Sequence, residues 1–237
     1  MHLQLYPDQF NLKDETLLLE AFDFIAQTLS QGCPMRDETI HIIAKDDFPM
    51  CARINEDNCA ILLHCPTDHS GLQYAYQFAH EFCHWLIGGS LSGELCGLFW
   101  LEETVCELAS FHCLSVLRDR WTQLAPSYPL PHVDDYILRM LSDGLPPAPI
   151  PLRGYIARHR EELYTLAYHR DLYSRMALAL HPHFLGTPEL WTLLPYFGDL
   201  KSYYDPADWL SALRLRTPPA FARHCSHLES LLLGSRH

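Results

Sequence analysis

Positive charge is scarce in this chain. Lys and Arg number 17 of 237 residues against 29 Asp and Glu, a formal net charge of −12. The shortage is uneven: residues 1–150 hold 7 Lys and Arg against 21 Asp and Glu, and residues 151–237 hold 10 against 8. A nucleic-acid partner needs a basic face, so none is expected. The acidic surplus is compatible with a basic peptide, although a solvated acidic surface accounts for it equally well. Long apolar runs are also missing. None reaches the roughly eighteen residues of a membrane span, so no membrane partner is expected. The first twenty residues carry Asp8, Lys13, Asp14 and Glu15 where an export signal would be apolar, which predicts a cytoplasmic protein. No Cys-x-x-Cys pair occurs, which argues against a cysteine zinc site. Internal repeats and low-complexity tracts are absent as well.

Nine cysteines are present, an odd number, and Cys83, Cys106 and Cys113 fall inside predicted helices. In a reducing compartment they read as small buried hydrophobes. Hydrophobic residues at 48% and charged residues at 19% describe a globular chain, and 237 residues can bury a core in one or two domains.

The most informative stretch is His80-Glu81-Phe82-Cys83-His84, followed after eighteen residues by Glu103. On a helix, His80 and His84 stand one turn apart on one face, where two imidazoles can converge on a divalent ion with Glu81 beside it. Cys83 lies between them on another face. Zinc needs a third protein ligand and an open position, and a carboxylate from a neighbouring helix can supply the ligand. A nearby carboxylate can then act as general base while water attacks a carbonyl. Composition alone would place such a five-residue pattern in roughly one chain in twenty this rich in histidine. The context must therefore carry the reading.

That context is favourable. Residues 72–87 contain no Gly or Pro, place apolar residues at near-helical spacing, and end at Gly88-Gly89. Residues 98–117 form a second, largely apolar helix that carries Glu102, Glu103 and Glu107. Carboxylates on so apolar a helix are unexpected unless they are paired or bind a cation. A helix N-terminus offers Glu102 and Glu103 a blander role, and a solvated face offers one to Glu107. Glu103 and Glu107 share a face, so one can bind metal while the other accepts the free ring N–H of a ligand histidine.

Along the rest of the chain, residues 13–30 read as an amphipathic helix. Residues 39–44 and 60–64 read as strands, with 50–54 pairing between them through the Asn55–Asn58 turn. Beyond residue 120 the pattern becomes helical and proline-punctuated. A helix is expected at 133–142, a long one over 155–180, and shorter ones near 188–194, 207–214 and 219–233. Pro146 to Pro151 suggests a boundary between a region 1–145 and a region 152–237, which could equally be one continuous domain. Tyr164, Tyr168, Tyr173, Trp191, Tyr196 and Phe197 read as core aromatics.

Phe78 to Trp85 followed by Trp100-Leu101-Glu102-Glu103 resembles the gluzincin metallopeptidases, whose pattern is His-Glu-x-x-His, eighteen residues, then Glu. Gln77 to Leu86 is also similar to the active-site helix of the ImmA/IrrE-like bacterial metallopeptidases, where the third ligand comes from a later Glu-rich helix. Compact size favours the second family, and the spacing favours the first. The resemblance spans about 35 residues, and the aminopeptidase Gly-Ala-Met-Glu-Asn signature is absent. It implies one zinc ion per chain held by His80, His84 and Glu103, with Glu81 as general base and Glu107 as partner of the first histidine. It further implies an α+β, zincin-like fold in which a small N-terminal sheet backs the active-site helix, its edge strand holds substrate, and a mostly helical C-terminal part follows.

The expected function is a zinc metallopeptidase acting on a peptide or protein substrate. The alternatives are a non-catalytic or gated metal-binding regulatory protein on the same scaffold, a plain α+β interaction protein with a chance motif, and a zinc hydrolase of non-peptide amides. An oxyanion-stabilising Tyr or His is required, and His112, Tyr155, His159, Tyr203 and Tyr204 are candidates that the sequence does not separate. It leaves the oligomeric state undetermined.

Overall fold

The computed structural model describes residues 1–6, 10, 15–45, 48–64, 71–88, 96–124, 135–136, 150–165 and 167–234. It is an α+β fold with a small four-stranded sheet and predominantly helical remainder. The chain enters through strand β1 (His2–Leu5), helix α1 (Glu15–Ser30) and strand β2 (Thr39–Ala44). Strands β3 (Met50–Arg53) and β4 (Asn58–Leu63) follow, then helices α2 (Gly71–Ile87) and α3 (Phe99–Leu124).

The sheet order is β1-β2-β4-β3, with β1, β2 and β4 parallel and β3 antiparallel to β4 at the edge. This corrects the expectation that residues 50–54 pair between the two other strands. The Asn55–Asn58 turn is tight: Asn55 Oδ1 accepts from Asp57 N–H at 3.0 Å and from the Asn58 carboxamide at 2.9 Å. So short a connection makes β3 and β4 neighbours, which leaves the other side of β4 for β2. Strand β1 was not anticipated at all.

Alternation decides which side of the sheet is covered. Ile40, Ile42, Cys51, Cys59, Ile61 and Leu63 share one face and are buried. Helix α2 packs on β3 and β4, and α1 packs on α2 and α3. Phe22 of α1 stacks on Phe78 at 4.4 Å, and the aromatic row continues through Phe82 and Trp85 at 5.6 and 5.2 Å. Burying each such ring contributes roughly 1.5–3 kcal/mol. The far end of α2 is fixed to the sheet by Glu38, which accepts from Trp85 Nε1 at 2.9 Å and pairs with Arg53 at 3.3 Å. Gly88, at φ 75°, then ends the helix in the left-handed conformation.

Helix α3 is buried from residue 100 to residue 114 on every side. A helix apolar all round belongs at the centre of a protein, and α3 lies between α2 and a later helix at Arg170–Gly186. Its start is pinned by Gly97, where an added Cβ would come within 2.2 Å of the Lys201 carbonyl oxygen. One hydrophobic core therefore runs from Phe10 to Leu232.

The long helix expected over 155–180 is three: α4 (Leu152–Arg158), α5 (Arg160–Leu163) and α6 (Arg170–Gly186). No Gly or Pro marks the breaks. The Thr165 hydroxyl donates to Glu162 O at 2.7 Å and meets His169 Nε2 at 2.8 Å, so side chains take over the hydrogen bonding that would continue the helix. A 3-10 helix (Pro188–Tyr196) and helices α7 (Pro206–Arg216) and α8 (Ala222–Leu233) complete the chain. Apart from Asp135 and Tyr136, the helix expected at 133–142 lies outside the described residues. Among the described residues, no helix is long and apolar enough to cross a membrane.

Candidate metal centre

Helices α2 and α3 press the expected residues together. Glu103 extends one carboxylate oxygen to His80 Nε2 and the other to His84 Nε2, each at 3.3 Å. The two imidazole centroids are 5.1 Å apart. Glu81, His84, Glu102, Glu103 and Glu107 are all 5% exposed or less. The placement of α2 is set from below by Gln77, whose carboxamide accepts from His64 N–H at 2.8 Å and donates to His64 O at 2.6 Å. That paired contact ties α2 to the end of β4.

This geometry suits a cation. Nitrogen and oxygen ligands about 2.0–2.1 Å from a tetrahedral zinc stand roughly 3.3 Å from one another, which is the spacing found between Glu103 and both histidines. Cys106, read from the sequence as a buried hydrophobe, also lies beside the two histidines. Ligand atoms of His80, His84 and Cys106 all lie within 4.8 Å of one another, a group able to hold a metal ion. The missed signal was its position three residues after Glu103, on the same side of α3.

The contacts of Glu107 and of the histidine ring nitrogens differ from expectation. Glu107 is buried, but its partners are the Tyr76 hydroxyl, which donates to it, and Arg170, whose Nε lies 3.3 Å away. The ring nitrogen held by a further carboxylate is instead His84 Nδ1, 2.8 Å from Glu102. Two adjacent carboxylates on α3 thus serve one histidine, Glu103 at Nε2 and Glu102 at Nδ1. A helix-terminus role for Glu102 overlooked this contact because sequence spacing alone does not say which of two neighbouring Glu residues faces inward.

The charges interact strongly. Burial disfavours protonated His84, yet Glu103 and Glu102 outweigh it and hold its pKa well above the usual value. Burial works against ionised Glu103 too, but the two histidines keep it well below the usual carboxylate range. Glu81 is raised by burial, against the pull of both histidines; it also accepts a hydrogen bond from the Cys51 backbone N–H of β3. Burial lifts Glu107 to about 7 despite Arg170.

The site opens into a cleft of about 820 Å³. Phe48, Pro49 and Met50, at the start of the edge strand, form one wall; Phe99 and Tyr136 add further apolar surface. Tyr168 and Arg170, delivered by the helix break before α6, line the same cleft as the two histidines. Tyr168 was expected in the core, but it is 48% exposed and its hydroxyl bonds to Glu103. Burial of that hydroxyl, with Glu103 and Glu107 nearby, holds its pKa far above the usual value. Of the residues considered for oxyanion stabilisation, His112 lies away from the cleft against His181 and Trp191, and Tyr155, His159, Tyr203 and Tyr204 do not line it. Comparison with known proteins adds no relative: no family model matches the chain, and neither does any curated protein.

Proposed function

We propose that this protein is a zinc-dependent hydrolase of peptide bonds on a zincin-like scaffold. The observation that carries the reading is Glu103, whose two oxygens meet both histidines at metal-polyhedron spacing beside buried Glu81, at the floor of an open cleft. His80, His84 and Glu103 would hold the ion. Glu103 is preferred to Cys106 because it is already ionised and directed at both Nε2 atoms, whereas burial holds the Cys106 thiol well above its usual pKa and a ligand must be thiolate. When bound, zinc supplies a Lewis acid that polarises a carbonyl and lowers the proton affinity of water.

The remaining steps belong to the chain. An extended peptide pairs with the open edge of β3, which sets its carbonyl above the two histidines. Glu81 takes the proton of the attacking water and delivers it to the leaving amine nitrogen. Burial raises its pKa, which favours holding the proton until it is delivered to the amine. The Tyr168 hydroxyl turns from Glu103 to donate to the carbonyl oxygen as charge develops there. Glu102 keeps His84 in the tautomer that presents Nε2.

The test has two arms. Elemental mass spectrometry should find about one zinc per wild-type chain and a sharp loss in Glu103→Ala. Glu81→Gln should retain the metal and lose peptide hydrolysis. A well-folded wild type that takes up no metal would end the reading; turnover retained by Glu81→Gln would remove Glu81 from the role of base.

A further inference from the structure

Beneath the edge strand lie two thiols that the proposed hydrolytic chemistry does not use. Cys51 of β3 and Cys59 of β4 bring their sulfurs to 3.4 Å. Both are buried, at 5% and 1% exposure. Their environments differ. Cys59 is held below the usual thiol pKa by the hydrogen bond from Cys51, which outweighs burial, with Arg53 and Arg36 adding to the effect. Cys51 is pushed well above the usual value by that same bond and by burial. The other described cysteines whose thiols are shifted, Cys33, Cys106 and Cys113, are all raised. Two sulfurs in contact, one favouring the thiolate and the other the thiol, have the chemistry of an attacking and a resolving cysteine, and their burial means that an oxidant small enough to pass the edge strand must reach them.

Register sets what closure of this pair would do. Cys51 stands opposite Ile61, and Cys59 stands opposite Arg53, so the two cysteines are diagonal neighbours. Diagonal positions on an antiparallel pair have Cα atoms roughly 7–8 Å apart, whereas a disulfide spans about 4.4–6.8 Å. A bond between them must therefore draw β3 along β4. Among the described residues β3 pairs in the sheet with β4 alone, so the movement must work against the packing of α2 on β3 and the Arg53–Glu38 pair rather than against a second strand. The displaced segment includes the Cys51 N–H that bonds Glu81, and Met50, which forms the cleft wall.

We infer that Cys51 and Cys59 form an oxidative modification site for small peroxides, and that their linkage shifts the edge strand and with it the hydrogen bond that fixes Glu81. The Cys59 sulfur attacks one peroxide oxygen, the O–O bond breaks, and with the Cys59 proton the departing oxygen leaves as water. Cys59 is then a sulfenic acid. The Cys51 sulfur attacks it, the S–S bond forms, and hydroxide leaves with the Cys51 proton as a second water. The two sulfurs are oxidised and the peroxide is reduced. The consequence for hydrolysis rests on the function proposed above, whereas the linkage and the strand shift do not.

The experiment uses the full-length reduced protein treated with equimolar hydrogen peroxide. Peptide mapping should find the segment containing Cys51 joined to that containing Cys59 with loss of two hydrogens, and thiol reductant should restore both. Hydrogen exchange at residues 50–53 should change on linkage in wild type and stay unchanged in Cys59→Ser. If the protein hydrolyses peptides, oxidised wild type should be slower by about tenfold or more, since small misplacements of catalytic groups cost about that much or more, and Cys59→Ser should resist. Thiols that remain free, link elsewhere or advance to sulfinic acid would overturn the site. Linkage with unchanged exchange at 50–53 would overturn the coupling. Neither outcome depends on the protein being a hydrolase. If Cys59→Ser fails to fold, Cys51→Ala, which keeps the attacking sulfur, should stop at the sulfenic acid; a linkage that still forms would exclude this pair.

Discussion

Glu102 decides which nitrogen of His84 faces Glu103, and that decision can be measured. Its carboxylate accepts from His84 Nδ1 at 2.8 Å with both groups buried, so Glu102→Gln preserves size but removes the charge behind the imidazole. Outer partners of metal-ligating histidines are worth about 10–100-fold in metal affinity, or roughly 1.4–2.7 kcal/mol. A carboxamide still offers an acceptor oxygen, so the lower half of that range, about 10–30-fold, is expected. Glu107→Gln is the matched control. Glu107 sits on the same helix at similar burial but touches Tyr76 and Arg170 rather than a histidine ring. It should lose less than about threefold, under roughly 0.7 kcal/mol. The assay is competition for zinc against a chromophoric chelator near neutral pH. Thermal melting of the metal-free proteins would separate folding defects from affinity. A larger loss in Glu107→Gln than in Glu102→Gln would refute the assignment and restore the pairing of Glu107 with His80 that the sequence suggested.

Three further outcomes follow from the same geometry. Tyr168→Phe should lower kcat about 10²–10³-fold with KM and zinc content little changed; an equal loss in Glu103-dependent metal content would make Tyr168 a structural support instead. Buried His112 has its pKa lowered from 6.5 to about 4 by burial, with His181 adding to the shift. Only the unfolded chain then binds this proton between those values, so stability is complete above pH 6.5 and is lost as pH falls towards 4, by about 3–4 kcal/mol at most. His112→Gln should flatten that part of a melting-temperature profile, and an unchanged profile would refute the cause. His84 is protonated in the metal-free site because its pKa is raised, and a ligand must be neutral, so zinc binding near neutral pH should release a proton. Calorimetry in buffers of differing ionisation enthalpy would detect it, and no release would contradict the charge assignment.

Legibility in the sequence followed the range of the interactions. The helix carrying His80 and His84 and the helix carrying Glu103 were readable because periodicity and spacing within a helix are local. The hairpin turn at Asn55–Asn58 was readable for the same reason, but the order of strands was not, since pairing of β2 with β4 joins segments that the turn does not connect. The inward choice between Glu102 and Glu107 depends on how α3 rotates against α2, which no single-helix pattern encodes. Tyr168 was missed because the break that delivers it has neither Gly nor Pro and arises from Thr165 and His169 side chains. Cys106 was missed because its spacing from Glu103 shows only that the two share a side of α3, and a buried thiol there looks the same with or without histidines beside it.

The charge of the site argues for what completes it. Four carboxylates, Glu81, Glu102, Glu103 and Glu107, are buried on two helices, and such groups are costly unless paired. Arg170 answers Glu107. The remaining three surround two imidazoles, and without a metal the protein resolves the imbalance with protons: His84 is held charged and Glu81 is pushed towards neutrality. A site that must gather protons to balance its own acids has a place for positive charge, and the groups around that place are two imidazoles with a carboxylate and a thiol beside them, rather than the all-oxygen set that calcium or magnesium prefers. A divalent ion there would satisfy Glu103 and both histidines at once. It would also free the proton on His84 and favour the ionised form of Glu81, the form a general base requires. Metal binding and activation of the base would then be one electrostatic event.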